Sequence, residues 1–93
     1  MNNILEEAQR LVNTDRHHDY GDPSEDFSRI ATIWTTLLAE RLLEDLTPED
    51  VAIMMIALKL SRAVFNYKRD NWIDIAGYAH CADLCSQHKQ QNL

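Results

Sequence analysis

Hydrophobic residues recur along this chain at the three- and four-residue spacings that place side chains on one face of an α-helix. The pattern predicts four helices, over residues 3–13, 22–45, 47–66 and 70–87. Each begins at an Asn, Asp or Thr, whose side chain can accept a hydrogen bond from the free backbone N–H groups of the first turn. Residues 14–21 are polar and lack helical spacing, so they are predicted to form the longest non-helical stretch.

Turn-forming residues are scarce, because the chain of 93 residues contains only two glycines and two prolines. A β-sandwich or a β-barrel needs many more such residues, so helices with short connections are favoured. The hydrophobic content of 45% is typical of a globular chain of this length with one core. The prediction is a single all-α domain over residues 1–93, folded as a compact four-helix bundle.

The third predicted helix is too apolar for a helix on the surface of one small bundle. Every residue from 51 to 65 is apolar except Lys59, Ser61 and Arg62. A surface helix is polar on about half of its circumference. Three short amphipathic helices can cover such a helix only in part, so we expect the chain to form a homo-oligomer.

Net charge and hydropathy narrow the range of partners. A net charge of −6 repels phosphate backbones, which argues against DNA or RNA but not against one nucleotide in a local basic pocket. Residues 1–11 carry charges where a signal peptide has its apolar region. The apolar run 51–58 is too short to cross a bilayer. We therefore expect a soluble cytoplasmic protein without a membrane partner.

Lys59 and Arg62 are the most informative residues of the sequence. They stand three positions apart, so they share one face of the most apolar helix. Leaving a charge buried and unpaired is costly, so each cation needs a carboxylate, a phosphate or access to water. One interpretation is an internal salt bridge with Asp70 or Asp74. The other is a basic floor for a phosphate-bearing ligand, and the residues alone leave both open.

Two further groups of polar and ionisable residues are candidates for a functional site. Asp70, Asp74 and Tyr78 follow one another at spacings of four, on one side of the fourth helix. Gly77 lies inside that helix. A glycine at such a position more often reflects a closely packed neighbouring helix than a bound ligand. The segment 16–21 combines a cation, two histidines, an acid, a tyrosine and a glycine. It is either a functional loop or a solvated turn whose glycine has a positive φ.

Five short segments of the chain form a pattern that resembles a known family. They read D-R-x-x-x-Y-G, I-A-x-x-W, D-V-A-x-x-M, K-x-x-R and D-N-W-x-D-x-x-G-Y, and they begin at Asp15, Ile30, Asp50, Lys59 and Asp70. The pattern is similar to that of a small phage-encoded family of unknown function, and it covers residues 13–80. A more distant resemblance is to a nucleotide-modification-associated domain of phages, which also pairs a Tyr-Gly loop with Lys-x-x-Arg and Asp-x-x-x-Asp segments.

Carried onto the matching positions, the resemblance implies a ligand-binding site. Its candidate residues are Arg16, Tyr20, Lys59, Arg62, Asp74 and Tyr78. In this hypothesis the cations meet the phosphates of a nucleotide, and the tyrosines form an aromatic wall. Asp74 orients one of the cations or accepts a hydrogen bond from a base or a ribose hydroxyl. Such a module needs no catalytic residue, metal or cofactor, and a phage protein of this kind would sequester a nucleotide signal of host defence.

Two other functions compete with nucleotide binding. One is a Mg²⁺-dependent nucleotide pyrophosphohydrolase of the all-α type, in which several carboxylates converge on a metal. The chain lacks the paired E-x-x-E of those enzymes, and Glu40 and Glu44 are better interpreted as surface charge. The other is a non-catalytic protein-interaction module, in which Lys59 and Arg62 are paired internally.

Two possible metal sites are less favoured. Cys81, Cys85 and His88 stand at helical spacings and can ligate zinc if a fourth ligand comes from elsewhere, but cysteines in a helix are more often core residues. His17 and His18 precede an acid, but the predicted helices nearby offer no partner histidines. Structural roles are favoured for both groups.

Overall fold

Four helices in chain order make up the computed structural model, which describes residues 3–91 and the side chains of residues 3–88. Helix α1 consists of three continuous segments, Ile4–Arg10, the π-helical Leu11–Arg16 and His17–Tyr20. Helix α2 is Pro23–Leu37, α3 is Pro48–Phe65 and α4 is Arg69–Gln91. The described residues contain no β-strand, so the predicted all-α four-helix architecture is confirmed.

Three of the four predicted helix starts are confirmed by their capping hydrogen bonds, whereas α4 begins at Arg69, so the predicted cap Asp70 lies inside its first turn. The Asn3 side chain accepts a hydrogen bond from the backbone N–H of Glu6 at 2.8 Å. Asp22 precedes Pro23, and its carboxylate accepts from the backbone N–H two residues later. Thr47 forms a reciprocal pair with Asp50, in which each side chain accepts from the backbone N–H of the other residue. These bonds satisfy donors that a helix leaves free at its first turn.

The prediction that residues 14–21 are non-helical was wrong. Helix α1 continues to Tyr20 and ends at Gly21, whose φ of +82° confirms the expected positive value. The hydroxyl of Thr14 donates to the carbonyl of Arg10 within the widened π-helical turns. Arg16 is held by residues of other helices, as described below. Tertiary contacts therefore keep this polar segment helical although it lacks an apolar stripe.

The second helix is shorter than predicted, because it ends at Leu37 and not near residue 45. The residues from 38 to 47 are the longest non-helical stretch among those described. The backbone N–H of Leu46 donates to the hydroxyl of Thr35 at 2.9 Å, so this segment folds back along α2. Leu46 packs against the core although it lies beyond the end of the helix.

The core lies where α4 packs against the other three helices. Its buried residues are Val12, Phe27, Ala31, Val51, Ala52, Cys81 and Cys85. Both cysteines are free thiols, as the core interpretation predicted. A Cβ added at Gly77 would lie 3.5 Å from Cγ2 of Val12, an ordinary van der Waals contact, so α1 lies against α4 here without requiring a glycine.

Helix α3 is covered on one side only. Val51 and Ala52 are fully buried. Large apolar side chains on the opposite side remain exposed: Ile53, Met54, Leu58, Leu60, Val64 and Phe65. The bundle thus fails to surround its most apolar helix, as its composition suggested. Within the described part of the chain, no helix is long and apolar enough to cross a membrane.

Candidate functional site

The Arg16 side chain is surrounded by three aromatic rings and a carboxylate. Its Nη2 lies 2.9 Å from Oδ2 of Asp26, and both side chains are mostly buried. The guanidinium carbon is 5.0 Å from the ring centre of Tyr20, 5.1 Å from that of Phe27 and 5.6 Å from that of Tyr78. We call these five residues the arginine cage. It joins α1, α2 and α4 around one positive charge.

One donor of the arginine cage is unsatisfied. Among the described side chains, Nε of Arg16 is a buried nitrogen without a hydrogen-bond partner. A buried donor of this kind costs free energy, and an acceptor on a ligand can satisfy it. The Cys81 thiol lies nearby, and its burial raises its pKa, although the Arg16 guanidinium opposes that change.

A cavity of about 210 Å³ opens next to the arginine cage, between α1 and α4. Arg16, Tyr20, Asp74 and Tyr78 line it, so it brings together four of the residues predicted to bind a ligand. Gly77 also lines it, and the absence of a side chain there enlarges the space. We call this the aromatic cavity. Besides the rings and the guanidinium, two acidic residues line it, Asp19 and Asp74.

Lys59 has the internal partner that one of the two interpretations required. Its Nζ lies 2.7 Å from Oδ2 of Asp74, and its side chain is 15% exposed. Asp74 is less buried, with 36% of its side chain exposed. The pair joins α3 to α4 and compensates the charge in the apolar helix.

A second cavity, of about 610 Å³, is lined by both members of this ion pair. Its cations are Lys59, Arg62 and Lys68. Asp74 lines it as well as the aromatic cavity. Arg62 is exposed and, among the described residues, takes part in no ion pair. We call this the cationic cavity, because its three cations outnumber its acids, Asp70 and Asp74.

The six predicted residues therefore line two neighbouring cavities that share Asp74. Sequence reasoning missed Asp26, which stands four positions before Ile30 and so borders the apolar stripe of α2. An acid at the border of an apolar stripe needs a polar or cationic partner, but its position does not identify Arg16 as that partner. It also missed Lys68, whose place at the end of the α3–α4 connection carries no periodic signal.

Apart from Asp19 and Cys81, which line the aromatic cavity, the residues considered for metal binding lie outside these two cavities. Glu40 and Glu44 are exposed in the segment between α2 and α3, beyond the end of the helix on which they were predicted. Cys85 is a core residue, and His88 lines a separate surface cavity with His17. Within the described residues, no three His, Cys, Asp or Glu side chains are placed to hold one metal ion.

The buried thiols predict how stability depends on alkaline pH. Burial raises the pKa of Cys85 from 9.0 to about 11. Between these values the unfolded chain has lost a proton that the native protein retains, so the free energy of unfolding should fall as pH rises, by at most about 1.4 kcal/mol per pH unit. Urea unfolding at about pH 8 and about pH 10 measures this, and Cys85→Ala should reduce the difference. Equal losses in both proteins would contradict it.

Comparison with known proteins gives the family. Residues 3–86 match the model of a domain of unknown function, DUF6378. The Gene 55 protein of Mycobacterium phage L5 is 48% identical over 77 residues, which cover 82% of this chain and 47% of that protein. The Gene 55 protein of Mycobacterium phage D29 is 43% identical over 81 residues, which cover 86% of this chain and 51% of that protein. The chain thus spans about half the length of these curated relatives.

No solved structure matches the chain. The phage relatives confirm the resemblance to a small phage protein family of unknown function. Since the family model covers most of the residues that form the bundle and both cavities, the chain belongs to the DUF6378 family.

Proposed function

We propose that this domain binds one small phosphate-bearing nucleotide across the two cavities. The nucleoside occupies the aromatic cavity, and its phosphates occupy the cationic cavity. The observation that carries the proposal is the position of Asp74, which lines both cavities and holds Lys59 at 2.7 Å. A single ligand that passes Asp74 therefore meets aromatic rings on one side and cations on the other.

The charges of the cationic cavity support a phosphate ligand. Arg62 is exposed and can form two parallel hydrogen bonds to phosphate oxygens, while Lys59 and Lys68 act as point charges. The chain as a whole carries a charge of −6, so this local group of cations contrasts with its acidic surface. The contrast favours a small anion over an extended polyanion such as DNA or RNA.

The aromatic cavity supports recognition of the nucleoside. Bases stack on tyrosine rings, and stacking contributes about 1–3 kcal/mol per base. Tyr20 is 55% exposed, so a ligand can reach its ring. Arg16 and Asp74 line the cavity and offer donors and acceptors, the two kinds of group that hydrogen bonds to a base or a ribose require.

The role that fits this site is sequestration. Phage relatives and the distant likeness to a nucleotide-modification-associated domain suggest a nucleotide signal of host defence, held in the host cytoplasm without turnover. The hydrolase alternative is less favoured, because Glu40 and Glu44 lie outside both cavities. A protein-interaction role accounts for the Lys59–Asp74 pair but not for the exposed Arg62 beside a cavity.

The proposal can be tested by comparing the binding of a nucleotide with the binding of its separate parts. Thermal-shift screening against mono-, tri- and cyclic nucleotides, with and without Mg²⁺, should find one that raises the melting temperature. Calorimetry then compares that nucleotide with its nucleoside and with inorganic pyrophosphate, and the whole nucleotide should bind more tightly than either part. Chromatography after incubation should return the nucleotide intact, whereas conversion to a monophosphate would show a hydrolase.

Variants of exposed residues separate the two cavities. Arg62→Ala should lower the affinity for the nucleotide and for pyrophosphate at least about 10-fold, or about 1.4 kcal/mol. It should leave the affinity for the nucleoside unchanged. Tyr20→Leu should lower the affinity for the nucleotide and the nucleoside but not the affinity for pyrophosphate. Arg41→Ala and Tyr67→Leu change exposed residues outside both cavities and serve as matched controls. The proposal fails if no nucleotide binds, or if the controls weaken binding equally.

A further inference from the structure

The outer face of α3 is a continuous surface without a charged residue. Two neighbouring rows of side chains form it, each with spacings of four, three and four residues. One row is Ile53, Ala57, Leu60 and Val64. The other row is Met54, Leu58, Ser61 and Phe65. We call these eight residues the α3 outer face, and Ser61 is its only polar member.

These spacings are those of helices that pack side by side along their length. Alternation of four and three keeps a row of knobs facing a partner helix in coiled coils and bundles. Val64 and Phe65 are 89% and 92% exposed, so the bundle itself offers them no partner. A large exposed apolar face of this kind marks an interaction site in a soluble protein.

The surface area of the chain is large enough to include an interface. The accessible surface is 6719 Å² for a mass of 10.8 kDa. A compact monomer of this mass exposes about 5,500 Å², so this chain exceeds it by about 1,200 Å². A stable interface buries about 800 Å² on each partner. The excess therefore exceeds what one half of a stable dimer needs.

Charge restricts where two copies of this chain can meet. Each copy carries a net charge of −6, so two copies repel one another through most of their surfaces. The α3 outer face has no charge, and it is self-complementary because both copies present the same two apolar rows. A two-fold axis near the middle of α3 brings each row onto the same helix of the partner.

We propose that two copies of this chain associate through the α3 outer face. Ser61 and Phe65 belong to this face and also line the cationic cavity, so the second copy covers one border of that cavity. The association does not depend on nucleotide binding. It explains why a helix apolar on nearly all sides remains half exposed in one bundle.

Analytical ultracentrifugation tests the proposal directly. The wild-type protein at about 100 μM should sediment with twice the chain mass of 10.8 kDa. The double variant Leu60→Glu with Val64→Glu should be monomeric, or weaken the dimer at least about 100-fold, because it places four carboxylates in the interface. Its far-UV circular dichroism should match the wild type, since both side chains are substantially exposed in the bundle.

A matched control carries the same added charge elsewhere. Leu5→Glu with Leu43→Glu changes two side chains that are 72% and 103% exposed and lie outside the α3 outer face. This variant should remain dimeric. The proposal is overturned if the wild type is monomeric at this concentration, which would leave the face for a different protein. It is also overturned if the Leu60 and Val64 variant stays dimeric, or if both double variants dissociate alike.

Discussion

Replacing Arg16 with alanine should destabilise the fold by about 3 kcal/mol. The change removes the cation that lies 2.9 Å from Asp26, whose side chain is only 14% exposed. It also removes a group in contact with three aromatic rings. An acid left without its partner in this position loses the interaction that compensated its burial. Urea unfolding followed by circular dichroism measures the difference in the free energy of unfolding.

Arg29 provides the control for this experiment. Its Nη2 lies 3.8 Å from the other oxygen of Asp26, but its side chain is 61% exposed. Arg29→Ala should therefore cost no more than about 0.5 kcal/mol. Arg16→Lys keeps the charge but loses the planar group that stacks on the rings. Its loss in the free energy of unfolding should therefore lie between those of Arg16→Ala and Arg29→Ala. If Arg16→Ala costs no more than Arg29→Ala, the arginine cage does not stabilise the fold.

Replacing Phe27 with alanine should cost about 4 kcal/mol, the largest effect expected for a single residue. Phe27 is 1% exposed and lies in the core cluster. Its ring centre is 6.3 Å from that of Tyr78, and it forms one wall around Arg16. The alanine leaves a void and loosens the guanidinium, so packing and cation contacts are lost together.

The size of the Phe27 effect can be graded by a second variant. Phe27→Leu retains much of the volume but not the aromatic face, and should cost about 1.5 kcal/mol. Urea unfolding of both variants against the wild type measures the series. Equal destabilisation by Leu and Ala would show that the ring face, and not the filled volume, is what the core requires.

The helix starts could be predicted because their causes are local. Asn3, Asp22 and Thr47 accept hydrogen bonds from residues two or three positions away, so the signal lies within one turn of sequence. The exposed apolar side of α3 could also be predicted. The composition of residues 51–65 shows that this helix has more apolar surface than three short helices can cover.

The helical state of residues 14–20 could not be predicted from periodicity. What holds this segment is the contact of Arg16 with Asp26, ten residues away, and with Tyr78, more than sixty residues away. Contacts at such separations leave no spacing signal in a polar stretch. The end of α2 was misjudged for a different reason, because Leu42 stands four positions after Leu38 and continues the apolar spacing beyond Leu37, where the helix ends.

The residues predicted to bind a ligand line the two cavities, but the sequence did not show how they are arranged. Lys59 and Asp74 were expected as one of two alternatives, and the structure pairs them while leaving Arg62 exposed beside a cavity. Residues of α1 and α4 line the aromatic cavity, and residues of α3, α4 and their connection line the cationic cavity. Such a shape depends on helix positions in three dimensions, which a pattern along one helix does not contain.

Asp74 has a consequence for how the two cavities respond to each other. Its carboxylate is part of the wall of both, and one of its oxygens is committed to Lys59. An anion that draws Lys59 toward itself frees that oxygen for a donor on the other side. Occupancy of the two cavities is then thermodynamically linked, and the linkage is reciprocal: the factor by which one occupant changes the affinity for the other is the same in both directions.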